Sequence, residues 1–210
     1  MKIYSLGYNC EVEMNLRKYY QRNKLDYQIS TPLNWNISDL VLPILQQVKR
    51  GGQFFEFTTI VEIKHDNGTI GRLPKCVTTG LLSSHDLPYK TINECLSIEQ
   101  TNFLMSKYAH TSGHLREIVF EQKGNTFLRR IADSYQDWKY IKENIKEQDR
   151  ITAMLAEKED LIQFMKEHGH QIYFLSTQRD LCDESTVFYM QYKIMDRIYP
   201  EYRRVIRKIQ

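Results

Sequence analysis

The apolar positions at the start of the chain change from a short run to a helical pattern. Residues 3–6 read Ile-Tyr-Ser-Leu and stop at Gly7, and from Cys10 an amphipathic pattern continues to about Tyr20. An apolar run that ends at a glycine predicts a strand and a turn, and the longer pattern predicts a helix with one buried face. The sequence therefore predicts a strand, a turn and a helix that starts with a cysteine.

Strand and helix signals follow one another up to residue 90. Short strands are expected at residues 27–30, 58–64, 69–73 and 76–82, and the middle two form a hairpin around a His-Asp-Asn-Gly turn. Ser38 is a favourable N-cap for a helix over about residues 39–50, which ends at Gly51. Pro43 lies inside this helical pattern and would either kink the helix or shift its start.

The second half of the chain predicts helices, then a strand, then a final helix. Residues 91–168 are mostly helical in two or three pieces, with a break at Gly124, and residues 171–176 form a buried apolar strand. The last helix covers about residues 187–208 and is bent or interrupted at Pro200. A helix, a glycine and an apolar strand in this order are typical of α/β proteins, so we predict one α/β domain over residues 1–210, with a mixed sheet flanked by helices. A papain-like α+β fold is the alternative.

Composition and charge narrow the functional classes. Of the 210 residues, 41% are hydrophobic and 26% are charged, as in ordinary globular domains. The net charge of +3 is too small to indicate nucleic-acid binding, and no apolar stretch approaches the ~18 residues that a membrane span needs. The four cysteines are scattered, without the close pairs of a zinc ribbon or a redox motif. Scattered thiols are typical of a reducing compartment, so we expect a cytoplasmic protein.

Cys10 is the first candidate for a chemical role. The leading backbone N–H groups of a helix carry partial positive charge and can stabilise a thiolate, so a cysteine there is a candidate nucleophile. Cysteine chemistry also needs a base, and His85 suits this role because it follows a predicted strand among small polar residues. Gly7 and Asn9 in the turn, with Trp35 in the next loop, are the candidate substrate-binding residues.

An inert role is the alternative for Cys10, since buried cysteines are common in protein cores. Cys76 and Cys95 fall in strand and helix patterns and are expected to pack, whereas Cys182 lies in a charged loop and is a weaker candidate nucleophile. The turn before Cys10 also invites a nucleotide interpretation, but it has one glycine where the dinucleotide fingerprint has three, and no P-loop lysine.

Two histidine pairs have spacings that metal ligands use. His110 and His114 are four residues apart, and His168 and His170 are two apart. A glycine interrupts each pair and no HExxH motif is present, so we expect neither a metal nor a cofactor. Residues 129–130 are paired arginines, which either solvate a helix or face a cleft that takes phosphate or carboxylate.

Residues 3–88 resemble a known family in the order and spacing of four segments. These segments are residues 5–10 (SLGYNC), 15–17 (NLR), 31–38 (TPLNWNIS) and 85–86 (HD). Together they are similar to a bacterial family of predicted papain-like cysteine peptidases, in which a strand, an SLGxxC-like turn and an LRK-type helix precede a PFDW-like loop and an HD pair. The resemblance implies that Cys10 is the nucleophile and His85 the base.

The chain departs from that family in residues 31–38, which we call the second loop, where Leu33 and Asn34 stand in place of phenylalanine and aspartate. If the acidic residue orients the histidine, the amide oxygen of Asn34 would still accept the imidazole N–H, as in Cys-His-Asn sites. Asp86 is the other candidate for orienting His85. It is less suitable because adjacent side chains on an extended segment point in opposite directions.

Three functions are compatible with these residues. The first is a cysteine-dependent hydrolase or acyltransferase that acts on a peptide or a small molecule through Cys10 and His85. The second is a transferase in surface-polysaccharide metabolism with a phosphorylated or nucleotide-sugar donor, which the resemblance implies because such proteins accompany polysaccharide genes. The third is a non-catalytic module that binds glycan or peptide with aromatic residues such as Trp35 and Tyr89.

Overall fold

The computed structural model describes most of the chain. The described residues are 2–7, 10–27, 29–34, 36–51, 55–64, 68, 70–88, 91–131, 147–191 and 195–210. Within these ranges, no helix combines the length and the apolar character that crossing a membrane requires.

The described ranges contain six strands and five α-helices. The strands are β1 (Ile3–Ser5), β2 (Phe57–Lys64), β3 (Ile70–Cys76), β4 (Thr126–Arg130), β5 (Gln171–Ser176) and β6 (Val187–Tyr189). The helices are α1 (Cys10–Arg22), α2 (Leu42–Lys49), α3 (Ile98–Arg116), α4 (Glu147–Glu167) and α5 (Met195–Ile209).

Four of the strands form a parallel sheet in the order β1-β4-β5-β6. β4 lies between β1 and β5, with Tyr4 beside Phe127 and Phe127 beside Ile172. β2 and β3 form a separate antiparallel hairpin. The prediction of an α/β fold is confirmed, although parallel and antiparallel pairing occur in two sheets rather than one. The papain-like alternative calls for an antiparallel sheet after the first helix, and within the described residues the antiparallel strands are those of the hairpin.

Both faces of the parallel sheet are buried by helices. Tyr4 and Phe127 point to a core shared with α2, α3, α4 and the hairpin, whereas the adjacent Ile3 and Leu128 point to a core shared with α1 and α5. Successive strand residues face opposite sides of a sheet, so a strand covered on both faces is expected to be mostly apolar. This arrangement explains why β1, β5 and β6 are short and mostly apolar, whereas β4 also carries two buried arginines.

The sequence prediction was wrong at β4, which fell inside a stretch expected to be helical. All five residues of β4 are buried, and two of them are arginines. A short run cannot be assigned to strand or helix from periodicity alone, and the two charges conceal a central strand. β6 was also missed, because this short run was included in the final helix. That helix was expected to start at residue 187, and it starts at Met195.

Other boundaries also differ from the predictions. Residues 27, 29 and 30 are irregular rather than a strand, and Cys76 ends β3 instead of beginning a new strand. Leu82 makes only isolated bridges, to Ile37 and Lys75. The helical stretch expected from residue 91 begins only at Ile98, after a capping box in which Ser97 and Gln100 bond each other's backbone N–H. Residues 132–146 of that stretch lie outside the described residues.

α2 starts at Leu42 and not after Ser38, because Pro43 occupies its first turn, where a proline is tolerated. Its N-cap, Val41, has no capping side chain. The carboxylate of Glu157 on α4 takes over this role, since its Oε1 accepts the amides of Val41 at 2.7 Å and Leu42 at 2.6 Å. A side chain distant in sequence thus caps the helix that follows the second loop.

The buried side chain of Arg129 connects three segments near the carboxyl end of β4. Its guanidinium donates to the backbone carbonyl of Leu6 at 2.9 Å, to that of Ser38 at 3.1 Å and to that of Asp39 at 2.6 Å. Burial raises the pKa of Glu157, and the positive charge of Arg129 acts in the opposite direction. Arg129 therefore holds the end of β1 against the end of the second loop, with a carboxylate nearby to balance its charge.

We predict that Arg129→Met destabilises the protein by about 3–5 kcal/mol, because it leaves three carbonyls and the buried Glu157 without their cation. The free energy of unfolding, measured by urea denaturation, tests this. Arg207→Met is the matched control, since Arg207 is an exposed arginine on α5, and we expect it to change stability by no more than about 0.5 kcal/mol. A loss below about 1 kcal/mol for Arg129→Met would show that Arg129 does not hold these segments together.

Candidate functional site

Cys10 is the first residue of α1 and is half-buried. It follows a turn in which Gly7 has a φ of +74°, in the left-handed region. A Cβ at Gly7 would lie 2.6 Å from Ser38 Oγ and 3.3 Å from the carbonyl oxygen of Leu33, so only glycine fits. Gly7 is thus packed directly on the second loop. Asn9, a predicted substrate-binding residue, lies outside the described residues.

The environment of Cys10 disfavours its thiolate. Burial raises the pKa of the Cys10 thiol, a hydrogen bond to the Cys10 backbone lowers it by less, and the negative charge of Glu11 raises it further. The expectation that the helix N-terminus would favour a thiolate is therefore outweighed by desolvation. Cys10 is a protonated thiol at neutral pH and needs a base to become a nucleophile.

The second loop is buried and held by its own side chains. The Thr31 hydroxyl donates to Asn34 Oδ1 at 2.5 Å, and Asn36 Nδ2 donates to the Pro32 carbonyl at 2.8 Å. Asn34 and Asn36 are 1% and 4% exposed, so these hydrogen bonds satisfy amides that water cannot reach. The loop is therefore a fixed part of the fold. Trp35, which was predicted to bind substrate, lies outside the described residues.

Asn34 does not contact His85 in the structure. Its amide oxygen accepts from Thr31, and its amide nitrogen donates to the Ile29 carbonyl at 3.2 Å. The Asn34 side chain also acts on Glu13, which lies on α1 one turn after Cys10, and it opposes the rise that burial causes in the pKa of that carboxyl. Within the described ranges Asn34 thus fixes the second loop to the helix that carries Cys10, which is a different role from orienting the imidazole.

Glu13 is a buried carboxylate that the sequence reasoning missed. The Tyr27 hydroxyl donates to its Oε2 at 2.8 Å and the Arg17 guanidinium donates to its Oε1 at 2.5 Å. Burial raises the pKa of Glu13, and the hydrogen bond from Tyr27 and the charge of Arg17 oppose this. In the sequence, Glu13 and Arg17 have the spacing of an ordinary surface ion pair, so nothing there indicates that Glu13 is fully buried.

His85 lies in an exposed loop that is tied to the second loop. The backbone amide of the preceding Ser84 donates to Asn36 Oδ1 at 3.1 Å. Leu82, slightly earlier, exchanges backbone hydrogen bonds with Ile37. Asn36, which also bonds Pro32, is therefore the side chain that joins the loop packed on the Cys10 turn to the segment carrying His85.

The imidazole of His85 favours its neutral form. Partial burial lowers its pKa, and the positive charge of Lys107 lowers it further, whereas the negative charge of Asp86 raises it. A neutral imidazole at pH 7 can accept a proton, which is the state that a general base requires.

Asp86 is turned toward α3 and anchors the His85 loop. Its carboxylate accepts the Ser83 hydroxyl at 2.5 Å, the Tyr108 hydroxyl at 2.7 Å and the ammonium of Lys107. The Asp86 side chain is 2% exposed, so these contacts balance a buried charge. Asp86 affects His85 through its charge and by fixing the loop.

Arg129 and Arg130 are both buried, and both bind other groups of the protein. Arg130 faces the opposite side of the sheet from Arg129 and forms an ion pair with Glu11, whose Oε1 also accepts the Tyr202 hydroxyl at 2.9 Å. The two arginines are 1% and 2% exposed. The interpretation that they jointly face a cleft and bind phosphate or carboxylate is not what their contacts show.

His114, His168 and His170, three of the four paired histidines, hydrogen-bond backbone groups. His114 Nδ1 lies 2.8 Å from the Ser30 carbonyl, and His170 bonds the Val119 carbonyl through Nε2 at 2.9 Å and the Asn125 amide through Nδ1 at 3.3 Å. Both nitrogens of His170 are therefore occupied. Among the described residues, no group of three or more histidine, cysteine, aspartate or glutamate side chains is arranged to hold a metal ion.

We predict that the pKa of His85 falls in Asp86→Asn and rises in Lys107→Met. The first change removes a negative charge that stabilises the imidazolium, and the second removes a positive charge that opposes it. The NMR chemical shift of the His85 ring protons, followed against pH, measures both effects. Arg207→Met, on the opposite face of the sheet, is the control and should leave the pKa of His85 unchanged. Shifts of the same sign in both variants would contradict this account of the loop.

Comparison with known proteins identifies no family for this chain. No family model matches it, no curated protein matches its sequence, and no solved structure matches its fold. The resemblance to predicted papain-like cysteine peptidases, and the roles that it implies for Cys10 and His85, stay predictions.

Proposed function

We propose that this protein is a cysteine-dependent hydrolase or acyltransferase, with Cys10 as the nucleophile and His85 as the base. The supporting observation is the contact chain through the second loop: Ser38 and Leu33 pack on the Gly7 turn, and Asn36 bonds the backbone of Ser84. Two segments that carry a thiol and an imidazole are thereby joined to the same buried loop. Such convergence is what a nucleophile and a base from different parts of a chain require.

The protonation states of Cys10 and His85 favour attack assisted by a general base over a preformed thiolate–imidazolium pair. Cys10 begins as a thiol because burial raises its pKa, and His85 begins neutral because burial and Lys107 lower its pKa. His85 takes the thiol proton as the sulfur forms a bond to an amide, ester or thioester carbonyl. The backbone N–H groups at the start of α1 stabilise the oxyanion, and the imidazolium returns its proton to the leaving amine, alcohol or thiol.

The second half of the reaction decides between the two activities. The acyl group is bound to Cys10 as a thioester after the first step. In a hydrolase, His85 removes a proton from water, which attacks the thioester; the C–S bond breaks, a carboxylic acid is released, and the imidazolium returns the proton to the sulfur of Cys10. In an acyltransferase, an amine or alcohol of a second substrate attacks instead and takes the acyl group. A reducing location such as the cytoplasm would keep Cys10 as the free thiol that both activities need.

Positioning roles follow for the other predicted site residues. Asn34 fixes the second loop to α1 through Glu13, and Asp86 fixes the His85 loop to α3. Gly7 keeps the turn close to the loop because any larger residue would meet Ser38. Binding of the peptide, glycan or small-molecule substrate by Asn9 and Trp35 is part of the proposal.

The transferase with a phosphorylated donor has less support. A phosphate at the Gly7 turn would need a cation there, and the paired arginines of β4 are engaged with backbone carbonyls and with Glu11. The non-catalytic binding module is distinguished from the enzyme by reactivity, since it has no requirement for either Cys10 or His85.

We predict that p-nitrophenyl acetate acetylates Cys10 of the wild-type protein at neutral pH, and that Cys10→Ala abolishes this. His85→Ala should slow the reaction roughly 10²–10⁴-fold, the usual contribution of a general base. Release of p-nitrophenolate gives the rate, and mass spectrometry of the Cys10 peptide gives the site.

His110→Ala is the control for removal of an exposed histidine, and it should react at the wild-type rate. An unmodified Cys10 peptide in the wild type, or an equal rate in His85→Ala, would remove the basis for the enzyme and favour the binding module.

A further inference from the structure

A second cleft lies at the carboxyl ends of β5 and β6 and is closed on one side by α5. Its volume is about 450 Å³, and its walls include Arg179, Cys182, Glu184, Tyr189, Glu201 and Arg204. We propose that this cleft binds a small organic anion, such as a carboxylate or a phosphate ester, through the guanidinium of Arg179. The proposal is independent of the activity assigned to Cys10.

The position and size of the cleft are those of a ligand site. In open parallel α/β sheets, ligands bind in crevices outside the carboxyl ends of the strands, and the loops that follow those strands supply the contacts. Arg179 and Cys182 follow β5, and Tyr189 and Gln191 are at the end of β6. A volume of about 450 Å³ lies within the usual range for small-molecule pockets.

Arg179 is held in place and is free to bind an anion. Its guanidinium carbon lies over the Tyr189 ring, 5.0 Å from the centroid. Such a cation–π contact uses none of the guanidinium N–H donors, so they remain for a bidentate contact with an oxyanion. Within the described ranges, the ring of Tyr189 is the contact of this side chain and no carboxylate is paired with it.

The carboxylates that line the cleft are engaged elsewhere. Glu184 Oε2 lies 3.2 Å from Arg204 and 2.8 Å from Lys208, and its Oε1 accepts the Tyr189 amide at 3.0 Å. These contacts lower the pKa of Glu184 to about 2. Glu201 accepts the backbone amide of Gln191 at 2.6 Å. Two cations therefore share one carboxylate, and neither glutamate competes with a ligand for Arg179.

The segment between β5 and β6, which lines the cleft, is held in place by hydrogen bonds to Asp183. Asp183 Oδ1 accepts the backbone amides of Ser185, Thr186 and Val187 at 2.7, 2.6 and 3.0 Å, and these bonds lower the pKa of Asp183 to about 2. Glu184 has a φ of +57°, which this tight turn holds in the left-handed region. A cleft with fixed walls loses little conformational entropy when a ligand binds.

Cys182 provides a reporter inside the cleft. It is half-buried, and its thiol donates to the Gln178 carbonyl at 3.2 Å. Cys95 is exposed and does not line the cleft, so it serves as an internal reference in the same molecule. An anion seated on Arg179 would shield Cys182 from a neutral alkylating reagent and leave Cys95 unaffected.

The test measures iodoacetamide labelling of each cysteine by mass spectrometry, with inorganic phosphate or succinate added and the ionic strength held constant with sodium chloride. We expect at least one of the two anions to slow labelling of Cys182 at least twofold, with saturation, while the rate at Cys95 stays constant. Protection by succinate alone would identify a carboxylate ligand, and protection by phosphate alone a phosphate ligand.

Arg179→Gln should abolish the protection, and Arg203→Gln, an exposed arginine of α5 outside the cleft, should retain it. An NMR titration of the Tyr189 and Gln191 amides gives a second readout that needs no thiol chemistry. The proposal is overturned if neither anion protects Cys182 with saturation, or if Arg179→Gln is protected as well as the wild type.

Discussion

The buried guanidinium of Arg129 is the interaction on which the arrangement of the candidate site depends. It lies at the carboxyl end of the central strand β4 and donates to the carbonyls of Leu6, Ser38 and Asp39. The first carbonyl belongs to the chain just before the Gly7 turn, and the other two belong to the end of the second loop. A cation that satisfies three carbonyls at once fixes their relative positions, and the nearby carboxylate of Glu157 offsets the cost of burying it.

A connected set of buried polar side chains extends this arrangement to the reactive groups. Asn36 joins the second loop to the segment before His85, Glu13 and Asn34 join it to α1, and Asp86 joins the His85 loop to α3. These contacts leave a protonated thiol and a neutral imidazole on segments of fixed position. In the proposed reaction, Cys10 depends on proton transfer to a base, because the helix N-terminus does not outweigh the burial of the sulfur.

Several elements could be predicted from the sequence because local chemistry decides them. The strand and helix on either side of Gly7, the paired strands of the hairpin and β5 all follow from apolar runs and glycines, and they are found close to where they were expected. β4 could not be predicted, because its two arginines are buried by contacts with distant residues. The contacts of Asn34 and Glu13 could not be predicted for a related reason. Tertiary packing decides their partners, and the pattern of neighbouring residues does not indicate which partners those are.

The central claim is that Cys10 and His85 act as one unit, and a double-mutant cycle on thiol-dependent acyl transfer tests it most directly. The rates of p-nitrophenyl acetate turnover are compared for the wild type, Cys10→Ser, His85→Ala and the double variant. Residues that act in a single step are strongly non-additive, so the double variant should be no slower than the slower single variant. If the two losses multiply, Cys10 and His85 work independently and the proposed site is wrong.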